Sequence, residues 1–250
     1  MVFKYKKKIE NEIAIINDNQ KSFEINYLTI MLLGVSGVGK TTLINKILNV
    51  NAATGDGSFI TTETTPYMSK VMPFLRLVDT RGIELSVNFG AQQLESEAIR
   101  FINVQLQTND INNFVHCIWY CVTGKRFQQV EVDTLNRIRN YYQGNKIPII
   151  IVYTQATDKK AIENMKKYIM SQIDCNDFVE LLAFDVETVG NQVIKSFGVN
   201  ELISKTLIRC KQALNGDMRS VMTNQISKKS EKNLIYENAK IEVIFMKKLF

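Results

Sequence analysis

The chain is expected to form an α/β fold: a doubly wound, mostly parallel six-stranded sheet with helices on both faces. Three observations predict it. Short apolar runs alternate with longer stretches of helical spacing along most of the 250 residues. The runs Phe114–Val122 (FVHCIWYCV) and Ile147–Tyr153 (IPIIIVY) are continuous in apolarity, the mark of strands covered on both faces. The first run passes through a glycine-rich turn directly into an amphipathic stretch, a strand–turn–helix unit.

Taken in order, Ile25–Leu33 (INYLTIMLL) is the first strand and Thr41–Val50 the first helix, with Leu43, Ile44, Ile47 and Leu48 on one face. Residues 51–65 (NAATGDGSFITTETT) are polar and rich in Thr and Gly, a long exposed loop of the kind that carries function. A short strand follows Pro66, and Phe74–Val78 (FLRLV) is a buried one. Ala91–Leu106, Gln128–Tyr142, Lys159–Ile173 and Val199–Leu214 have helical spacing, and they alternate with the strands Phe114–Val122, Ile147–Tyr153 and Phe178–Phe184. This divides the chain into a basic extension (1–24), a folded domain (25–214), and a charged linker with a C-terminal amphipathic helix (215–250).

Composition excludes several classes. Four cysteines without a C-x-x-C pair argue against a zinc ribbon or a disulfide framework and for reduced thiols. One histidine, His116, leaves no two-His metal site, and its expected place is the core or a sheet edge. The net charge of +6 sits at the ends: residues 1–24 hold five basic and four acidic side chains, and residues 211–250 hold eight and four. The nearly neutral middle is not the core of a nucleic-acid binder. Basic ends offer weak peripheral contact with an anionic membrane, although solvated tails explain them as well. No secretory signal, lipidation box or spanning run is present, so the expected location is cytoplasmic.

The chemistry lies in Gly34-Val35-Ser36-Gly37-Val38-Gly39-Lys40-Thr41, which satisfies G-x-x-x-x-G-K-[ST] between a strand and a helix. Such glycines let successive N–H groups converge on a phosphate at a helix N-terminus. Lys40 reaches the β- and γ-phosphates, Thr41 offers its hydroxyl to Mg²⁺, and Thr42 continues the cradle. Downstream, Asp79-Thr80-Arg81-Gly82 follows a buried strand. There Asp79 can hold magnesium and the Gly82 N–H can sense a γ-phosphate. The loop between needs one threonine to complete the metal shell. Thr61 is favoured and Thr62 is next.

The runs GVSGVGKTTLIN, LVDTRG and IIIVYTQATD, with the Thr-rich loop, resemble the G domain of a P-loop GTPase of the translation-factor-related class. Within it the chain is most similar to Era-like and immunity-associated, septin-like GTPases. The likeness covers about residues 25–214. It implies that the chain binds GTP or GDP with Mg²⁺, hydrolyses GTP, and switches shape. It places the base near Thr154, Gln155, Asp158 and Ala183, and assigns Lys40, Thr61 and Gly82 to catalysis.

Two departures stand out. The Asn/Thr-Lys-x-Asp pattern of such domains becomes Thr154-Gln155-Ala156-Thr157-Asp158, with Gln155 for the lysine and the carboxylate one residue late. Asp158 either reaches the base through a bulged loop or caps the helix at Lys159. The place of a water-orienting glutamine is held by Ile83, so slow turnover without a partner is expected; Arg81 either supplies charge there or serves a surface role. A GTP-hydrolysing switch, whose loops 54–65 and 81–89 order to meet a protein effector or a second copy, is the leading reading. A nucleotide-loaded scaffold with little hydrolysis is the alternative, and an ATPase or small-molecule kinase comes third. The tail at Leu234–Phe250 either packs back on the domain or touches membrane.

Overall fold

The computed structural model describes residues 2–19, 25–50, 65–70, 72–80, 90–108, 110–124, 127–141, 147–173, 175–188 and 191–215. Helix α1 (Val2–Asn19) precedes strand β1 (Leu28–Leu33) and helix α2 (Lys40–Leu48). Strands β2 (Thr65–Ser69) and β3 (Met72–Asp79) form a hairpin, and α3 (Gly90–Gln107) leads to β4 (Cys117–Val122). Then come α4 (Gln129–Tyr141), β5 (Ile149–Tyr153), α5 (Lys159–Gln172), β6 (Phe178–Glu180), a small ribbon of β7 (Val186–Glu187) and β8 (Val193–Ile194), and α6 (Val199–Asn215).

The main sheet has six strands in the order β2-β3-β1-β4-β5-β6, all parallel except β2, which runs antiparallel to β3. Every residue of β1 and β4 is buried, so both faces of the sheet centre are covered. Pro66 lies on β2, which among the described strands pairs only with β3, and an edge is where a missing N–H is tolerated. Leu43, Ile44, Ile47 and Leu48 of α2 are buried as their spacing requires. The β1 register sets Leu32 beside Asp79 of β3 and Leu33 beside Tyr120 of β4. The C-terminal ends of three strands therefore converge where β1 runs into α2.

The structure differs from the sequence reading at the N-terminus. Residues 2–19, read as a basic extension outside the folded domain, form a helix that packs on α6 and β3 and buries Ile9 and Ile13 in the core. The Asn17 side chain clamps Ile25, accepting from its N–H at 2.7 Å and donating to its carbonyl at 2.9 Å. Ile9 and Ile13, four residues apart, share the face of α1 turned to the core, and Lys7 and Lys8 are exposed. Strand Phe114–Val122 also starts later than expected: Ile111–Asn113 form a 3₁₀ turn capped by Asp110, and the ladder begins at Cys117. The predicted helix Leu234–Phe250 lies outside the described residues.

His116 is buried just ahead of β4, where its Nδ1 accepts the Thr29 N–H at 2.9 Å. Burial, helped by the Arg76 guanidinium, pulls its pKa down to about 4 against the opposing backbone hydrogen bonds of Ile111 and Thr29. The four cysteines are free thiols. No described helix is long and apolar enough to cross a membrane.

Candidate nucleotide site

The turn from β1 to α2 is shaped by close approach. Gly34 has φ 135° and lies against β4 so tightly that a Cβ would sit 2.3 Å from the Cys121 carbonyl oxygen. Gly39 is the N-cap of α2 with φ 89°, a left-handed conformation in which a side chain would be strained. As a glycine it contributes no capping side chain, so the first-turn N–H groups of α2 face the concavity of the turn. Gly37 is also left-handed, Ser36 is exposed, and Thr42 is half-buried on the first turn of the helix.

Lys40 is 7% exposed, an unusual state for an ammonium. Its Nζ donates to the carbonyls of Gly34 at 3.1 Å and Val35 at 3.2 Å, so the cation is folded under the turn it would serve. Burial lowers its pKa, and the negative charge of Asp79 opposes that shift. Cys121 faces the same region, and burial pushes its thiol up to about 12, which keeps it neutral beside the lysine.

One residue on, the Thr41 hydroxyl donates to Asp79 Oδ2 at 2.6 Å. Asp79 ends β3 and is fully buried. A hydroxyl and a carboxylate side by side beneath an anion-binding turn are hard oxygen donors, the set that suits Mg²⁺ with phosphate oxygens and water completing its shell. Among the described residues no group of three or more His, Cys, Asp or Glu gathers to hold a metal without such help. Thr80, which sequence reasoning passed over, is fully buried and donates to the Leu32 carbonyl at 2.7 Å. Its hydroxyl ties the end of β3 to the root of the turn; only the β1–β3 register reveals it.

The other end of the site is built from the β5–α5 loop. Thr154 is buried, its N–H donates to the Val122 carbonyl at 2.8 Å, and its hydroxyl bonds the carbonyl of Val38, itself buried in the turn. Gln155 has a left-handed backbone, φ 55°, and its Nε2 lies 3.5 Å from the Gly37 carbonyl. Thus the residue standing where a lysine was expected still reaches the phosphate turn. Asp158 is the N-cap of α5: its Oδ1 accepts from Lys160 N–H at 2.9 Å and Ala161 N–H at 3.1 Å. Ala183 is half-buried in the loop after β6, which is drawn to the site by the Ala156 N–H donating to the Leu181 carbonyl at 3.1 Å. Next to it Phe184 carries the Lys46 ammonium 4.9 Å from its ring centroid, a link between α2 and that loop that sequence spacing does not show.

The structure therefore brings together Gly34, Gly37, Val38, Gly39, Lys40, Thr41 and Asp79, and connects Thr154 and Gln155 to them directly. Thr61, Thr62, Arg81, Gly82 and Ile83 lie outside the described residues.

Comparison with known proteins agrees with this geometry. A family model described as a 50S ribosome-binding GTPase matches residues 29–155, just over half of the chain. Septin-14 of Mus musculus is 24% identical over 200 residues, which cover 72% of this chain and 45% of that protein; the chain thus spans under half of that relative's length. Among solved structures, Toc33 of Arabidopsis thaliana in complex with Mg²⁺ and GMPPNP superposes with a TM-score of 0.56 at 13% identity, covering 87% of this chain and 95% of that one. The septin GTPase domain of Chlamydomonas reinhardtii gives 0.51 at 13% identity, covering 83% and 98%. At these identities the likeness establishes the fold.

Proposed function

The chain belongs to the 50S ribosome-binding GTPase family, and from that premise we propose that it binds GTP and GDP with Mg²⁺, hydrolyses GTP slowly, and works as a nucleotide-dependent conformational switch. The observation that carries this reading is the Thr41–Asp79 pair at 2.6 Å beside the buried Lys40, at the mouth of a turn that no side chain caps.

Each residue has a definable task. The amides from Val38 to Thr42 bind phosphate oxygens, and Ser36 and Gly37 shape the outer wall. Lys40 exchanges its carbonyl partners, Gly34 and Val35, for β- and γ-phosphate oxygens and stabilises the charge that develops on them. Thr41, Asp79 and Thr61 would hold magnesium, and the bound ion would supply positive charge that offsets the charge of the phosphates. Gly82 reports the γ-phosphate by its N–H. Thr154, Gln155, Asp158 and Ala183 hold the base. With Ile83 where a water-orienting glutamine would stand, attack on the γ-phosphate lacks a positioned base, so turnover is slow until a second copy or a protein effector completes the site.

The test is equilibrium binding of fluorescent GDP, and single-turnover hydrolysis of GTP, by the full chain in millimolar magnesium. Lys40→Ala is expected to weaken binding on the order of 100-fold, since a charge-assisted phosphate contact is lost. Hydrolysis at low protein concentration is expected to be slow and to rise with concentration or with added partner. Unchanged affinity in Lys40→Ala, or preference for ATP, refutes the reading.

A further inference from the structure

We propose that the site accepts 6-oxopurine nucleotides as a class, reading the N1–H of the base and leaving the 2-amino group unread, because Asp158 has one carboxylate oxygen to give. The inference rests on the nucleotide reading above, with the base at the Thr154–Asp158 loop.

Guanine presents two adjacent donors, N1–H and the 2-amino N–H, and a carboxylate meets both when each of its oxygens takes one. A carboxylate oxygen has two in-plane lone pairs. Both lone pairs of Asp158 Oδ1 are taken, by Lys160 N–H at 2.9 Å and Ala161 N–H at 3.1 Å. These bonds satisfy two of the four N–H groups that every helix start leaves without a partner. Asp158 has extended backbone angles, φ −118° and ψ 105°, immediately ahead of α5, so its place in the sequence makes it the cap. Among the described residues nothing donates to Oδ2. Turning Oδ1 to the base as well would give up two backbone bonds for one further bond, to the 2-amino group.

Two neighbouring polar groups of the loop are engaged elsewhere. The Thr154 hydroxyl is buried against the carbonyls of Val38 and Val122. The Gln155 amide is turned toward the Gly37 carbonyl. Hypoxanthine, which keeps N1–H and lacks the 2-amino group, therefore loses no bond to Asp158 relative to guanine. Adenine fails, because its N1 is a lone pair facing the Oδ2 lone pairs.

The experiment is displacement of ribose-labelled fluorescent GDP from the full chain by GDP, IDP and ADP in magnesium. GDP and IDP are expected to agree within about threefold, and ADP to be weaker by about 100-fold. A preference for GDP over IDP beyond about 30-fold shows that both oxygens reach the base, and overturns the inference. Asp158→Ser keeps a side-chain cap, checked by an unchanged Tm, and removes the carboxylate. It is expected to weaken GDP and IDP by the same factor, about tenfold. No loss for either, or a larger loss for GDP than for IDP, overturns it too. If the wild-type chain binds no labelled GDP at all, the nucleotide reading itself falls, and this inference with it.

Discussion

The two ends of the site are built differently. At the phosphate end, Gly34 is pressed against β4, Lys40 is held by two carbonyls of its own turn, and Thr41 is bonded to a fully buried aspartate. In the β5–α5 loop Thr154 and Ala156 are buried, while Gln155, Thr157 and Asp158 are exposed. The phosphate grip is part of the core, where a change of one atom is felt by close-packed neighbours. The loop proposed to hold the base is tied to that core by the Thr154 hydroxyl and N–H, by the Ala156 N–H bond to Leu181 and by one long amide contact. Both departures from the expected guanine motif, Gln155 and the late carboxylate of Asp158, fall in this exposed loop, and the G-x-x-x-x-G-K-[ST] turn has none.

The sharpest way to break this contrast is Gly34→Ala. A methyl group 2.3 Å from the Cys121 carbonyl, at φ 135°, is expected to cost about 4 kcal/mol of stability, read by denaturant unfolding. A cost below about 1 kcal/mol would show the turn to be as adaptable as the base loop.

His116, at the opposite end of β1, separates global stability from either part of the site. Its folded pKa of about 4 lies below the ordinary 6.5, so between those values the unfolded chain binds the proton and the folded one does not. The stability attached to its neutral form is complete above pH 6.5 and is lost as pH falls toward 4. The wild type should lose about 3 kcal/mol relative to His116→Asn across that window. Using the difference between the two proteins cancels Glu131, whose buried carboxyl is pushed up to about 7 and titrates with the opposite sign. A pH-independent difference would place His116 in contact with water.

Thr154→Val is the smallest of the three. Losing the hydroxyl leaves the Val38 carbonyl without that donor and should cost about 1–2 kcal/mol, with nucleotide affinity falling several-fold as the base loop loosens. A stability loss without any change in affinity would detach the base loop from the phosphate turn.

Much of the fold was legible because its signals are local. Continuous apolar runs in β4 and β5 and the stripe Leu43–Ile44–Ile47–Leu48 each follow from a few consecutive residues. The α1 helix was not legible, since Ile9 and Ile13 become core only when α6 and β3 supply the other wall.

The chain by itself determined the phosphate turn: glycines, lysine and threonine in one unbroken stretch dictate a backbone curl whose amides and cation point one way. Only tertiary structure decided what stands around it. Asp79 meets Thr41 across 38 positions of sequence, Thr80 reaches Leu32, and Thr154 reaches Val38, because parallel strand register aligns the ends of β1, β3, β4 and β5. Whether Asp158 gives both oxygens to a ligand or one to its own helix was likewise decided by where α5 begins, since a helix start demands acceptors for its N–H groups and the nearest carboxylate supplies them.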